Sequence, residues 1–182
     1  MSSFIRPLLV LLLIGSLGAG AGPTVDDGTQ CPGACETRVH YSVDSSFDQD
    51  EQETIAEAAR VWERGTGGRV CFSRDGNDLR FIRLEQQREL EPFDDEWQNH
   101  VALNKGGRIW IVSSKIDDRG EYLALVIHEI GHHLGLGHIE DTRSTYMHGT
   151  INDTPRSLWR HPGLPERDRR EFCSVRGCVC AW

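Results

Sequence analysis

The sequence predicts an α+β fold, several short strands with two long helices and a shorter final one. Three observations carry this: short stretches of period-two alternation, one long amphipathic stretch at helical spacing, and an apolar run whose continuation demands a helix. Thr37 to Val43 alternates apolar and polar residues and reads as the first strand. Asp48 is placed to cap a helix from about Gln49 to Arg64, in which Ile55, Ala58, Ala59 and Trp62 form one apolar face. Gly65, Gly67 and Gly68 end it. Arg69 to Ser73 and Leu79 to Leu84 read as strands joined by a turn at Asp75-Gly76-Asn77, and the acidic stretch from Glu85 to Glu96 reads as a surface loop. Arg108 to Ser113 reads as the strand before the next helix. Periodicity alone does not separate the apolar run Leu123 to Ile127 from a buried strand, but its length together with the residues that follow makes it helix. Pro165 to Phe172 opens with a proline suited to a first helical turn and reads as the final helix.

The second long helix carries the chemistry. His128-Glu129-Ile130-Gly131-His132-His133-Leu134-Gly135-Leu136-Gly137-His138 sets three imidazoles and a carboxylate at fixed spacing. Four residues turn a helix through about 400°, so His128 and His132 stand one above the other within reach of one tetrahedral ion. Glu129 lies beside the first of them, where it can accept a proton from water without occupying a coordination position. A straight helix cannot bring His138 to the same point, so the chain must leave the helix, and Gly135 can adopt the left-handed conformation that ends one. Three neutral histidines leave a fourth position for water, as in a catalytic zinc site, where a structural site would be closed by four protein ligands. The plain alternative is a buried helix with surface histidines. Five fixed residue types at this spacing arise by chance on the order of once in ten thousand such chains, which rejects it. His133 lies about 140° around the helix from His128 and is expected to pack or hydrogen-bond without binding metal.

The pattern H-E-x-x-H-x-x-G-x-x-H followed by a methionine resembles the signature of the metzincin metallopeptidases, and HEIGHHLGLGH is most similar to their matrixin branch. The resemblance is specific over residues 121 to 149 and architectural elsewhere. It implies an α+β zincin fold, a small mixed twisted sheet with an active-site helix, a Met-turn and a C-terminal helix. It also implies one catalytic zinc on His128, His132 and His138, with Glu129 as general base for hydrolysis of a protein or peptide substrate. Met147 falls where the family places its turn, beneath the zinc site. In the family an edge strand above the cleft pairs with the extended substrate backbone. Ile109, Trp110, Ile111 and Val112 are the candidate for that edge, with an internal strand as the other reading. Gly149 stands where astacin-like and serralysin-like members carry a zinc-binding tyrosine, so no tyrosine ligand is expected. Ile139 matches neither the Glu of astacins, the Asp of adamalysins nor the Ser common in matrixins. His148 either approaches the metal or caps the turn. Calcium, which family members often bind, is possible, but no D-x-[DN]-x-[DN]-G loop supports it.

Met1 to Ala21 combines Arg6, an apolar core from Leu8 to Ile14 and the small residues Ala19-Gly20-Ala21, which read as a signal peptide of a secreted or periplasmic protein. That run is too short to span a bilayer, so no membrane role is expected. Removing residues 1–21 takes away Arg6 and no acidic residue, so 20 basic residues become 19 against 28 acidic, and the net charge moves from −8 to −9. Such a balance disfavours nucleic acid and anionic membranes as partners. Residues 22–36 read as a short leader with two cysteines and residues 37–182 as a single catalytic domain, expected to act as a monomer. Six cysteines, Cys31, Cys35, Cys71, Cys173, Cys178 and Cys180, suggest three disulfides in an oxidising compartment, with connectivity open.

Matrixins are commonly kept latent by a propeptide cysteine on the zinc. Cys-Pro-Gly-Ala-Cys at 31–35 does not match that switch, so the enzyme is expected to be active once folded and exported. A zinc-binding peptide-recognition module that no longer cuts is the alternative function, and the intact Glu129 argues against it.

Overall fold

The computed structural model describes residues 35–140, 144–150 and 153–177. The expected signal peptide, most of the leader, and Cys31, Cys178 and Cys180 lie outside them. Among the described residues no helix is long and apolar enough to cross a membrane.

The chain enters as strand β1 (Thr37–Val43), crosses over through helix α1 (Gln49–Gly65) and returns as β2 (Val70–Ser73), parallel to β1. Strand β3 (Leu79–Leu84) then pairs with the other side of β1. A hairpin of β4 (Ala102–Lys105) and β5 (Arg108–Val112) completes a five-stranded sheet of order β2-β1-β3-β5-β4, parallel except for β4. Gly106 and Gly107, at φ 60° and 73°, make the two-residue turn of that hairpin, since its twist needs positive φ at both positions.

Helix α1 starts at a reciprocal cap. Asp48 accepts from the Glu51 amide at 2.8 Å and Glu51 accepts from the Asp48 amide at 2.8 Å, which satisfies two amides that a helix start leaves open. Its buried face is Ile55, Ala58, Ala59, Val61 and Trp62. That face meets helix α2 (Arg119–His133), and both helices cover one side of the sheet around Val39, Phe81, Ile109 and Ile111. The Trp62 indole crosses the interface and donates to the Ile127 carbonyl at 2.9 Å. Two short helices follow, α3 (Arg156–Arg160) and α4 (Glu166–Arg176), and α4 packs Phe172 against Trp62.

Two expectations need correction. Ile109 to Val112 do not form a free edge, because β5 is paired on both sides, with β3 and with β4. Trp110 and Val112 turn instead to the outer face of the sheet, in a small apolar cluster with Leu84 and Leu90. The edge belongs to β4, a strand too short to announce itself in the periodicity. The acidic stretch after Glu85 is also more than a surface loop: it forms single turns at Gln87–Leu90 and Trp97–Asn99, buries Leu90 and stacks Phe93 on Trp110 with ring centroids 4.5 Å apart.

Cys35 and Cys71 form a disulfide with Cα atoms 5.8 Å apart, tying the segment before β1 to β2. Replacing Trp62 by Phe removes the indole donor while keeping most of the ring. It is expected to lower unfolding free energy in urea by about 1–3 kcal/mol, and an unchanged midpoint would show that the α1–α2 contact does not need that bond.

Candidate metal centre

The C-terminal half of α2 is where three imidazoles meet. One ligand nitrogen from each of His128, His132 and His138 lies within 4.8 Å of the other two, and among the described residues this is the one grouping of donor side chains that could hold a metal ion. His128 and His132 come from one helix face, with ring centroids 4.5 Å apart. Helix α2 ends as the Leu134 amide bonds Ile130, the Gly135 amide bonds His132 and the Leu136 amide bonds Gly131, with Gly135 at φ +96°. The chain then turns back and delivers His138, whose ring lies 4.8 Å from that of His132.

Each helix ligand is oriented by a backbone carbonyl. His128 Nδ1 faces the Tyr146 carbonyl at 2.7 Å and His132 Nδ1 faces the Leu136 carbonyl at 2.9 Å. A carbonyl only accepts, so both Nδ1 atoms carry the proton and both Nε2 atoms present a lone pair to the cluster. The Nε2 atoms of His132 and His138 approach to 3.1 Å, close to the ~3.4 Å that two ~2.1 Å bonds to a tetrahedral zinc would set. Burial, then the neighbouring His132, pushes the His128 pKa down to about 3, so the ring stays neutral in the form that binds metal. The donor set therefore fits zinc.

Glu129 follows the first ligand, 5% exposed, with Oε2 lacking a hydrogen-bond partner in the protein. Burial raises its carboxyl to about 8, and a cation on the histidines would oppose that rise.

Beneath the ligands runs the turn Thr145-Tyr146-Met147-His148. Met147 is fully buried, and its carbonyl accepts from the Ile139 amide at 2.7 Å, just past His138. Tyr146 meanwhile holds His128, so one turn braces two of the three histidines. Room for the methionine comes from Gly131: a Cβ there would overlap the Met147 sulfur and press on the Trp62 ring at 3.1 Å. The turn is held in place from α4. Asp168, fully buried, accepts from the Thr145 hydroxyl and from the Tyr146 amide at 2.8 Å. Burial raises the Asp168 pKa, while those two donors pull against it.

The remaining candidates fall outside the cluster. His148 is buried and near enough to His128 and Asp168 to act on both electrostatically, yet it is not among the converging nitrogens. His133 also stands apart, half-buried. A Cβ at Gly149 would come within 3.8 Å of His138 Nδ1, so this position, where related peptidases carry a tyrosine, lies beside the third ligand. Residues Ile109 to Val112 remain in the sheet interior. Their place near the site is taken by Asn104 on β4, whose side chain reaches the Glu129 backbone carbonyl at 2.7 Å.

Sequence reasoning did not single out Gly131, Asn104 or Asp168. Asp168 did leave a signal: one helical turn before Phe172, it is a carboxylate on the buried face of α4.

Two histidines one helical turn apart, a third returned by a glycine turn, and a buried methionine turn beneath them define a zincin-type metallopeptidase centre. A model of the matrixin family matches residues 31–170, and the chain belongs to that family of zinc metallopeptidases. Among solved structures it is similar to archaemetzincin from Methanopyrus kandleri, with a TM-score of 0.54 at 11% identity over 81% of this chain and 99% of that one, a likeness of fold. No curated protein matches the sequence.

Replacing Gly131 by Ala should displace the Met147 side chain from below the ligands and weaken zinc binding about 10- to 100-fold in a chelator competition titration. Retention of native affinity would mean that the methionine can move without disturbing the histidines.

Proposed function

We propose that this protein is a secreted zinc-dependent endopeptidase in which His128, His132 and His138 hold the metal and Glu129 is the general base. The observation that carries the reading is the convergence of the three imidazoles, two with Nδ1 committed to carbonyls, beside a buried carboxylate with an unpartnered oxygen. Zinc held by the three histidines would supply Lewis-acid chemistry toward a water and the scissile carbonyl. Glu129 accepts the proton of the attacking water and passes it to the leaving amine, so hydrolysis proceeds without a covalent enzyme intermediate.

The substrate backbone is proposed to lie along β4. In the β4–β5 ladder, Lys105 and Arg108 close the hairpin and Leu103 faces Trp110. The Val112 amide donates to the Val101 carbonyl at 2.9 Å, which makes 101, 103 and 105 the positions bonded to β5. The backbone groups of Ala102 and Asn104 then point to the open side, where an extended peptide can add as a further strand. Main-chain pairing of this kind accepts many sequences and suits an endopeptidase.

The disulfide Cys35–Cys71 supports an oxidising destination and commits Cys35 to a bond that a zinc-blocking thiolate could not share.

Hydrolysis of a quenched peptide library by the 22–182 chain tests the reading. Chelation should abolish cleavage and added zinc restore it. Glu129→Gln should keep one zinc per chain and lower kcat by about 10²–10⁴-fold, whereas His132→Ala should lose the metal. Stoichiometric zinc with no cleavage by the wild-type chain would favour a binding module.

A further inference from the structure

We infer that Asn104 is a positioning residue for peptide hydrolysis, fixing the substrate-binding edge against the residue that carries the general base. The inference rests on the proposed peptidase reading of the site and extends it to a residue outside the histidine motif.

Asn104 sits on β4 opposite Ile109. Ile109 belongs to the core cluster on the helix side of the sheet, so Asn104 projects toward α2 while Leu103 and Lys105, one residue either side, project to the outer face. Its Nδ2 lies 2.7 Å from the Glu129 carbonyl, twenty-five residues along the chain. A backbone carbonyl is an acceptor only, so the amide nitrogen, and not the amide oxygen, must face it. That carbonyl has two lone pairs and can hold the Asn104 amide in addition to a helical partner. The bond is the direct polar tie between the edge strand and the peptide unit of Glu129, and it is made from the strand position whose own backbone groups face the open side.

One residue thus has its main chain at the proposed substrate strand and its side chain on the backbone of the base. A peptide paired to Asn104 has its scissile carbonyl placed relative to Glu129 with the help of this contact, which adds a directional tie to the apolar packing of α2 on the sheet. Without it β4 still has its β5 ladder, so the edge persists and the peptide still binds, but the edge and α2 can shift relative to one another. Displacements of about 1 Å are enough to cost up to about 100-fold in rate. The expected signature is therefore a loss in kcat with little change in KM.

The test uses the zinc-loaded wild-type chain, Asn104→Ala, Asn104→Asp and Asn104→Gln with one quenched peptide taken from the library. Asn104→Asp is nearly isosteric but turns an acceptor toward the carbonyl. The proposal expects kcat to fall about 10- to 100-fold in both the Ala and Asp variants, with KM within about twofold of wild type and one zinc per chain retained. Asn104→Gln keeps the amide donor and should recover kcat to within about threefold to fivefold of wild type. A readout independent of turnover comes from the zinc-free protein, where NMR should show slow exchange of the Asn104 side-chain amide. Wild-type kcat in Asn104→Ala and Asn104→Asp, fast exchange of that amide, or a loss that follows zinc content or folded fraction would each overturn the proposal. If the wild-type chain itself cuts no peptide, the peptidase reading fails and this inference falls with it; if wild type cuts and Glu129→Gln does not, only the Asn104 results decide.

Discussion

The hydrogen bond between His128 Nδ1 and the Tyr146 carbonyl is the contact on which the rest of the centre depends. It joins the helix that carries two histidines to the turn that braces the third, and it directs His128 Nε2 into the cluster. Burial makes the bond matter: at 8% exposure the ring has little water to replace a lost acceptor, and the same burial keeps it neutral. A neutral imidazole with a fixed tautomer is a prepared ligand, so little ordering remains to be done when a metal arrives.

The support for that bond runs outward through the fold. The Met-turn cannot drift, because Asp168 on α4 binds Thr145 and the Tyr146 amide, while Met147 fills the space left by Gly131 under α2. Helix α2 is in turn fastened to α1 by the Trp62 indole and to β4 by Asn104. The sheet supplies a rigid floor, four parallel strands with one antiparallel edge, and the hairpin at Gly106-Gly107 brings that edge alongside the helix. Polar contacts in this set join sites far apart in sequence, which is why a chain of modest length can hold three ligands and a carboxylate in register.

Much of the fold was legible because it is written locally. Strand β1 falls on Thr37–Val43 as the alternation suggests, and α1 begins at the Asp48 cap and buries Ile55, Ala58, Ala59 and Trp62 on its apolar face. The three histidines were legible for a different reason, since helical geometry and a glycine exit leave few other ways to use that spacing. What the sequence concealed was non-local. Four residues of β4 have no period to detect, although two glycines in a row between Lys105 and Arg108 were a hairpin signal. The interior place of β5 depends on β4 folding back onto it, and the apolar run Ile109 to Val112 suits a strand buried on both faces. Asp168 and Asn104 matter through partners 22 to 25 residues away, a separation that no local pattern encodes.

An open zinc site on His128, His132 and His138 is checked by zinc K-edge X-ray absorption on the metal-loaded chain. Such a site has three imidazole nitrogens at about 2.0–2.1 Å and one oxygen ligand from water, with one nitrogen lost in His138→Ala. A fourth imidazole, as from His148, or a thiolate sulfur at about 2.3 Å would describe a closed site and contradict it.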